Sequence, residues 1–518
     1  MSAIKQVVIV GGGTAGWISA ALLAKKLNTI NPESVQITLV ESPDIPIMGV
    51  GEGTWPTIRK TLAEIGIAED EFIRECDASF KQGAEFVNWY QNPTEVGKHS
   101  YFHPLNATFH AAYDFNLAPY WLLDNSEHKL PYDMATASQS YISQQGLAPK
   151  LITTPQYDAI LNYSYHLNAA KFADLLTKHA VRLGVKHIKA NVQNVALDTA
   201  GFIKQVDTDS AGSIIGDLFI DCSGSKALLL NGALDVQWKS ISDYIFNDTA
   251  LAIQVPYEDE STPIASNTIA TAHQHGWTWD IGLQNRRGVG YVYSSNHTSD
   301  ESAYDTLLDY IGVKDTDLSI RKIPLNLGYR EKFWHKNCVA VGMSAAFIEP
   351  LEASAIFLIE AAVNMIAEQF PHHRDNLSFV EKQFNETFTL RWEKSVDFIK
   401  LHYCISKRRD TQYWIDNTGE ASIPKSLQEK LAFWRHNVPS KFDFDYAFEP
   451  FVLDSYLFVL YGLKFETDLS LKQSCYLHTQ EAAKKMLEVQ KFNQQLVAGL
   501  PTNRDLINKI LKNGLSKI

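Results

Sequence analysis

Residues 6–16 read QVVIVGGGTAG: an apolar run that breaks into three glycines and then passes into residues that favour a helix. Few folds can follow such a start. Gln6–Val10 has the pattern of a strand buried on both faces, Trp17–Leu27 that of a helix, and Val35–Val40 that of a second strand ending at Glu41. Strand, glycine turn, helix, strand and terminal acid make one βαβ unit of the dinucleotide-binding α/β class. Gly11, Gly13 and Gly16 match GxGxxG. The first permits the tight turn, the second lets backbone approach a pyrophosphate, and the third allows close helix–strand packing. The helix N-terminus, with Thr14 and Ala15 in the turn before it as cofactor contacts, then faces the phosphates with free N–H groups. Glu41 stands 25 residues beyond Gly16, where a carboxylate can accept hydrogen bonds from ribose hydroxyls.

Three further segments favour FAD over NAD as the occupant. Gly49–Thr54 (GVGEGT) is a second glycine-rich loop able to run beside an extended cofactor, through Val50, Gly51 and Glu52. Gly216–Gly224 is an apolar strand ending at Asp221 and a small-residue turn, and it resembles the second nucleotide-contacting segment of glutathione-reductase-type flavoproteins. Cys338–Gly342 is another strand, followed by Pro350 and a helix beginning near Glu352, whose positive end suits the flavin ring or an anion. No second GxGxxG is present for a nicotinamide.

Phe86–Tyr90, Ile214–Ile220 and Cys338–Val341 read as strands, and Phe172–Leu183 and Glu352–Phe370 as helices. From about Phe379 the pattern is mainly helical and rich in aromatics. The expected architecture is a glutathione-reductase-type FAD-binding α/β body over residues 1–370, with interleaved β segments for the substrate. A mainly helical region over 371–518 would cover the substrate site. A net charge of −12 argues against nucleic acid or an anionic membrane as partner. Five scattered cysteines without a CxxC pair fit a reducing cytoplasm and no metal site. The first strand begins almost at once, and the longest apolar stretches are too short to cross a bilayer, so the expectation is a soluble cytoplasmic protein.

Beyond the nucleotide motif, the sequence resembles the flavin-dependent halogenases, the tryptophan halogenase family. The resemblance rests on GGGTAGW at Gly11–Trp17, GVGEGT at Gly49–Thr54, ASFK at Ala78–Lys81, FHP at Phe102–Pro104, WTWDIG at Trp277–Gly282 and EPLEASAI at Glu349–Ile356. The family's diagnostic motif is WxWxIP, and Gly282 stands here in place of its proline. The resemblance implies an enzyme that uses FADH2 from a separate flavin reductase, oxygen and a halide co-substrate, chloride or bromide, to halogenate a small electron-rich aromatic such as an indole. A homodimer is also expected.

Residue by residue, the resemblance places the family lysine at Lys81. Its ammonium would polarise hypohalous acid or, as the free amine, be halogenated itself. Read alone, Lys81 would be a surface lysine. The family glutamate falls on Glu352, which would orient the oxidant or accept the ring proton; without the resemblance it is a first-turn glutamate complementing a helix dipole. Ser354 and Ala355 match the halide-holding positions, although the family pattern has threonine and then glycine or serine. Trp277 and Trp279, on one face of a strand, would wall off the flavin side; packing in a core is their plain alternative. His103 would contact the aromatic substrate or pack as an ordinary histidine. Further FAD contacts are carried to Val192, Asp221, Met343 and Ile356. The contacts that bind free tryptophan's amino-acid group are not recognisable, and glycine at 282 leaves φ free where proline would fix it. Both point to an open, weakly selective aromatic site. A single-component aromatic hydroxylase is one alternative, against which Lys81, PLEAS and WxWxI stand; a non-catalytic flavin-binding protein is the other, left open by Gly282, Ser354 and Ala355.

Overall fold

The computed structural model describes residues 3–28, 31, 34–45, 51–314 and 317–515. The chain divides into two compact units whose segments alternate: 1–78, 167–241 and 326–390 in the first, 79–166, 242–325 and 391–518 in the second.

The first unit is built on a six-stranded sheet ordered 334–335, 338–340, 218–221, 6–10, 36–41, 186–189. All its pairings are parallel except the hairpin between the first two strands. Val7 to Val10 are buried without alternation, as a strand covered on both faces requires. The helix Thr14–Asn28 packs against Ala169–Arg182 and Ala355–Glu368. Its residues from Gly16 to Ala24 are all buried, and Lys25 and Lys26 complement the dipole in its last turn.

Two expected elements differ in instructive ways. The run Ile214–Ile220 is split into Ser213–Ile215 and Leu218–Asp221. Asp217 between them turns its carboxylate to the amides of Lys5 and Gln6, each at 2.9 Å, which aligns the second piece with the first strand. The helix expected from Glu352 begins at Ala355, after a 3₁₀ turn at Pro350–Glu352 and a left-handed residue, Ala353, at φ 52°.

The second unit holds a seven-stranded sheet ordered 321–324, 249–256, 286–293, 276–282, 268–272, 83–87, 100–104. Only 268–272 and 83–87 run parallel. Leu251, Ile253, Val289, Tyr291 and Tyr293 form a core with Ala303 and Leu307 of the helix Asp300–Ile311. The strand expected at Phe86–Tyr90 is Gly83–Val87; Asn88, at φ 63°, ends it. A short pair, Ser79–Lys81 with Ser164–Leu167, lies outside this sheet. Past Phe347 no strand occurs among the described residues. No described helix is long and apolar enough to cross a membrane.

Candidate active site

In the first unit the glycine turn is shaped by contacts a side chain would forbid. A Cβ on Gly11, whose φ is 118°, would stand 2.1 Å from the Cys222 carbonyl oxygen. On Gly16 it would stand 1.9 Å from the Gly11 oxygen, and on Gly12 2.3 Å from the Glu41 carboxylate. At Gly13 it would meet nothing within 4 Å among the described residues. The protein is therefore closed around Gly11, Gly12 and Gly16 and open at Gly13, in front of the helix that begins at Thr14 and Ala15. That opening, backed by first-turn amides, fits a pyrophosphate. Glu41 Oε2 shares a 2.7 Å hydrogen bond with His187 Nε2, and Oε1 turns toward Gly12, where a ribose can reach it.

Contacts tie two further expected cofactor segments, those of Val192 and Met343, to this part of the sheet. Ala190 donates to the Glu41 carbonyl, which brings Val192, two residues on, to the same end of the sheet. Gly342, at φ 77°, sits with its absent Cβ 2.7 Å from the Ala15 methyl, so the turn carrying Met343 abuts the first helical turn. Asp221 is a structural acid. Oδ1 accepts from Ser223, Oδ2 accepts from the Leu229 and Leu230 amides at 2.9 Å, and its carbonyl accepts from Val341. Burial raises the carboxyl of Glu52 to about 7; Gly51 beside it has φ 146°. Val50 lies outside the described residues.

At the start of Ala355–Glu368, Ser354 is buried and Ala355 exposed, while Ile356 packs inward. Trp55 Nε1 donates to the Glu352 carbonyl at 2.8 Å, and its ring stacks on Phe357 at 4.5 Å. The Glu352 side chain is itself buried. Farther along, the buried Glu360 accepts from Thr57 at 2.7 Å and from Thr61, and burial raises its carboxyl to about 7. No motif signalled Glu360.

In the second unit Lys81 is only 2% exposed. Ser79 stands opposite His166 and Lys81 opposite Ser164, so all four side chains share one face of the strand pair. His166 Nε2 shares a 2.9 Å hydrogen bond with Thr268, its Nδ1 has no partner among the described residues, and burial, aided by the Lys81 charge, holds its pKa well below the ordinary value. A neutral imidazole therefore accompanies the buried ammonium. A second buried lysine, Lys150, donates to the Pro155 carbonyl at 2.8 Å and to the Tyr163 hydroxyl at 3.1 Å. Neither His166 nor Lys150 belongs to a recognisable pattern; only long-range packing buries them.

Trp277 is fully buried, and its ring lies 6.4 Å from both Trp89 and Trp279. Trp279 lies across Gly290 on the neighbouring strand, where a Cβ would stand 2.0 Å from the indole. Gly282 is a buried strand residue paired with Arg287, and Ser79 donates its hydroxyl to the Gly282 carbonyl. The loosened loop expected from glycine is thus absent: the position is paired and enclosed. His103 is buried beside Phe398 and Phe458, with centroids at 5.6 and 6.2 Å. From Phe458 the aromatic contacts continue through Tyr132 to Trp121 and Tyr461, which line an open groove of about 360 Å³.

The chain is similar to known proteins in sequence and in fold. The tryptophan halogenase family model matches residues 6–474. A crystal structure of a tryptophan halogenase from Shewanella frigidimarina superposes with a TM-score of 0.95 at 45% identity, over 100% of this chain and 99% of that one. A flavin-dependent halogenase from Brevundimonas gives 0.86 at 31% identity, over 98% and 99%. The tryptophan 6-halogenase of Streptomyces toxytricini is 34% identical over 88% of this chain and 89% of its own length.

Proposed function

The chain belongs to the tryptophan halogenase family, and from that premise we propose that Lys81 directs halogen transfer to an electron-rich aromatic ring, an indole, in a two-component flavin-dependent halogenase. Bound at this turn, reduced FAD would activate oxygen, the oxidant that takes a halide to hypohalous acid. The observation that carries the reading is the burial of Lys81 at 2% exposure on a polar strand face. Burying an ammonium is costly unless it is paired and hydrogen-bonded, so an ordinary surface lysine does not occupy such a place. An ammonium there hydrogen-bonds hypohalous acid and polarises it, or as the free amine takes the halogen.

The remaining roles follow the chemistry of each position. Gly11, Gly13 and Gly16 with Thr14 and Ala15 hold the pyrophosphate, and Glu41 the ribose. Gly51, Glu52, Val192, Asp221, Met343 and Ile356 border the cofactor. The amides at Ser354 and Ala355 hold the halide at a helix start. Glu352 orients the oxidant or takes up the proton released when the ring regains aromaticity. Trp277 and Trp279 keep substrate from the flavin side, and His103 meets the aromatic substrate. The five free cysteines suit a reducing cytoplasm as location, and a homodimer belongs to the same reading, to be measured by light scattering.

The test supplies purified protein with a flavin reductase, NADH, oxygen, bromide or chloride, and a panel of indoles and phenols, read by mass spectrometry. Halogenated indole is expected, and none when the reductase is omitted. Turnover on NADH alone would overturn the two-component reading, and a hydroxylated product formed without halide would make the protein a monooxygenase.

A further inference from the structure

Gly282 ends the strand that carries Trp277 and Trp279, and its φ lies outside the left-handed region. The glycine is therefore a matter of space. A Cβ there would stand 2.8 Å from Ile264 Cγ2 and 2.9 Å from Tyr257 Oη, both well inside van der Waals contact. Burial raises the Tyr257 hydroxyl to about 12, so it stays neutral while filling that space. The Arg504 guanidinium lies over its ring, 5.0 Å from the centroid. Arg504 also donates to the carbonyls of Thr262 at 2.8 Å and Gln284 at 2.5 Å, the latter two residues past Gly282. Its neighbour Asn503 directs its amide to the carbonyls of Phe80, Ile264 and Ala265, each at 3.3 Å. Phe80 precedes Lys81, and Ser79 donates to the Gly282 carbonyl. The lysine strand and the end of the tryptophan strand are thus joined twice: directly at Ser79, and through the first turn of the helix Asn503–Asn513.

We propose that Tyr257, held by Arg504, is a positioning residue whose hydroxyl takes the place of a side chain at 282 and fixes the end of the tryptophan strand against the strand bearing Lys81. This rests on the role proposed above for Lys81. Without the hydroxyl, Gly282 can shift, and displacements near 1 Å at a reacting group cost up to about 100-fold. The test is a double-mutant cycle between Tyr257→Phe and Gly282→Ala, with two readouts. The first is halogenated indole formed per flavin oxidised, and the second is amide hydrogen exchange over residues 79–82 and 277–284, which needs no turnover. Tyr257→Phe is expected to lower the yield about three- to tenfold. Indole KM and FAD affinity should stay within about twofold, and exchange in both segments should accelerate. Gly282→Ala should cost less in the Tyr257→Phe background than alone, because its methyl takes the vacated space. Unchanged exchange in Tyr257→Phe, or effects that multiply independently, would overturn the proposal. A wild-type protein that makes no halogenated product would refute the halogenase reading instead, and the exchange measurements would still judge the brace.

Discussion

Gly16 and Gly282 are both buried, and neither has room for a Cβ, yet different things fill the space. At Gly16 it is the carbonyl of Gly11, five residues back; at Gly282 it is the hydroxyl of Tyr257 and the methyl of Ile264. On the proposed function the first region would recognise its ligand with backbone, and the close approach of main chain to main chain is its constraint. The second would prepare chemistry with side chains, and its glycine makes room for another side chain. Backbone recognition tolerates no Cβ at its contacts but asks little of residue identity elsewhere. Side-chain chemistry depends on a few buried polar atoms held in register.

Lys81→Ala sharpens this contrast most. Halogenation should fall by about a thousandfold or more, because a group used only in the chemical step is removed. FAD affinity and the rate of flavin oxidation should stay close to wild type. Near wild-type halogenation by this variant, in single-turnover assays with reduced flavin, would end the assignment of Lys81.

The complementary experiment separates two glycines of one turn. Gly13→Ala meets no atom of the described residues within 4 Å, so it should fold normally and weaken FAD binding by about ten- to a hundredfold. Gly16→Ala would press a methyl 1.9 Å from the Gly11 oxygen and should lower the unfolding temperature itself. Flavin fluorescence titration alongside thermal unfolding distinguishes them, and equal stability losses would contradict the open space at Gly13.

Substrate and halide preference test the second region at smaller scale. Indole or a bulkier indole-bearing molecule should outperform free tryptophan by about tenfold in kcat/KM, the effect of one or two missing polar contacts. Bromide, more easily oxidised than chloride, should give product first. Efficient, regiospecific chlorination of free tryptophan in a competition assay would contradict both.

The smallest effect concerns a side-chain charge inside the first region. Glu360 is raised to about 7 from an ordinary 4.5, so the folded protein holds its proton more tightly than the unfolded chain. Its contribution to stability is fully present below the unfolded value and is lost as pH rises toward 7. Glu360→Gln should therefore flatten the fall in unfolding temperature between pH 4.5 and 7, by about 2–5 °C. An unchanged pH profile would show that Glu360 is ionised in the folded state.

What could be read from sequence follows the same division. The strand Gln6–Val10, its glycines and Glu41 are legible because the pattern they form is complete within a span of 36 residues. The break at Gly216 and Asp217 was not legible, since the partners of Asp217 are the amides of Lys5 and Gln6, more than 200 residues away. Lys81 was visible only through resemblance, and nothing in its neighbours states that it is buried. Tyr257, Lys150 and His166 gave no signal, because what matters is the partner each meets after folding. Gly282 shows the limit from the other side: glycine invites a reading of freedom, and the structure assigns it enclosure.

The alternation of segments has a consequence for synthesis. Gln6–Val10 leaves the ribosome first, but its sheet neighbours include Leu218–Asp221, and the edge beyond that needs Cys338–Ala340. At about 5–20 residues per second, the first strand waits roughly 15–70 s before that side of its sheet can form. Meanwhile segments of the second unit have already emerged between those of the first. Neither unit can be released by a single cut or finished before the other has begun, so apolar strands of the first unit wait unpaired during that interval.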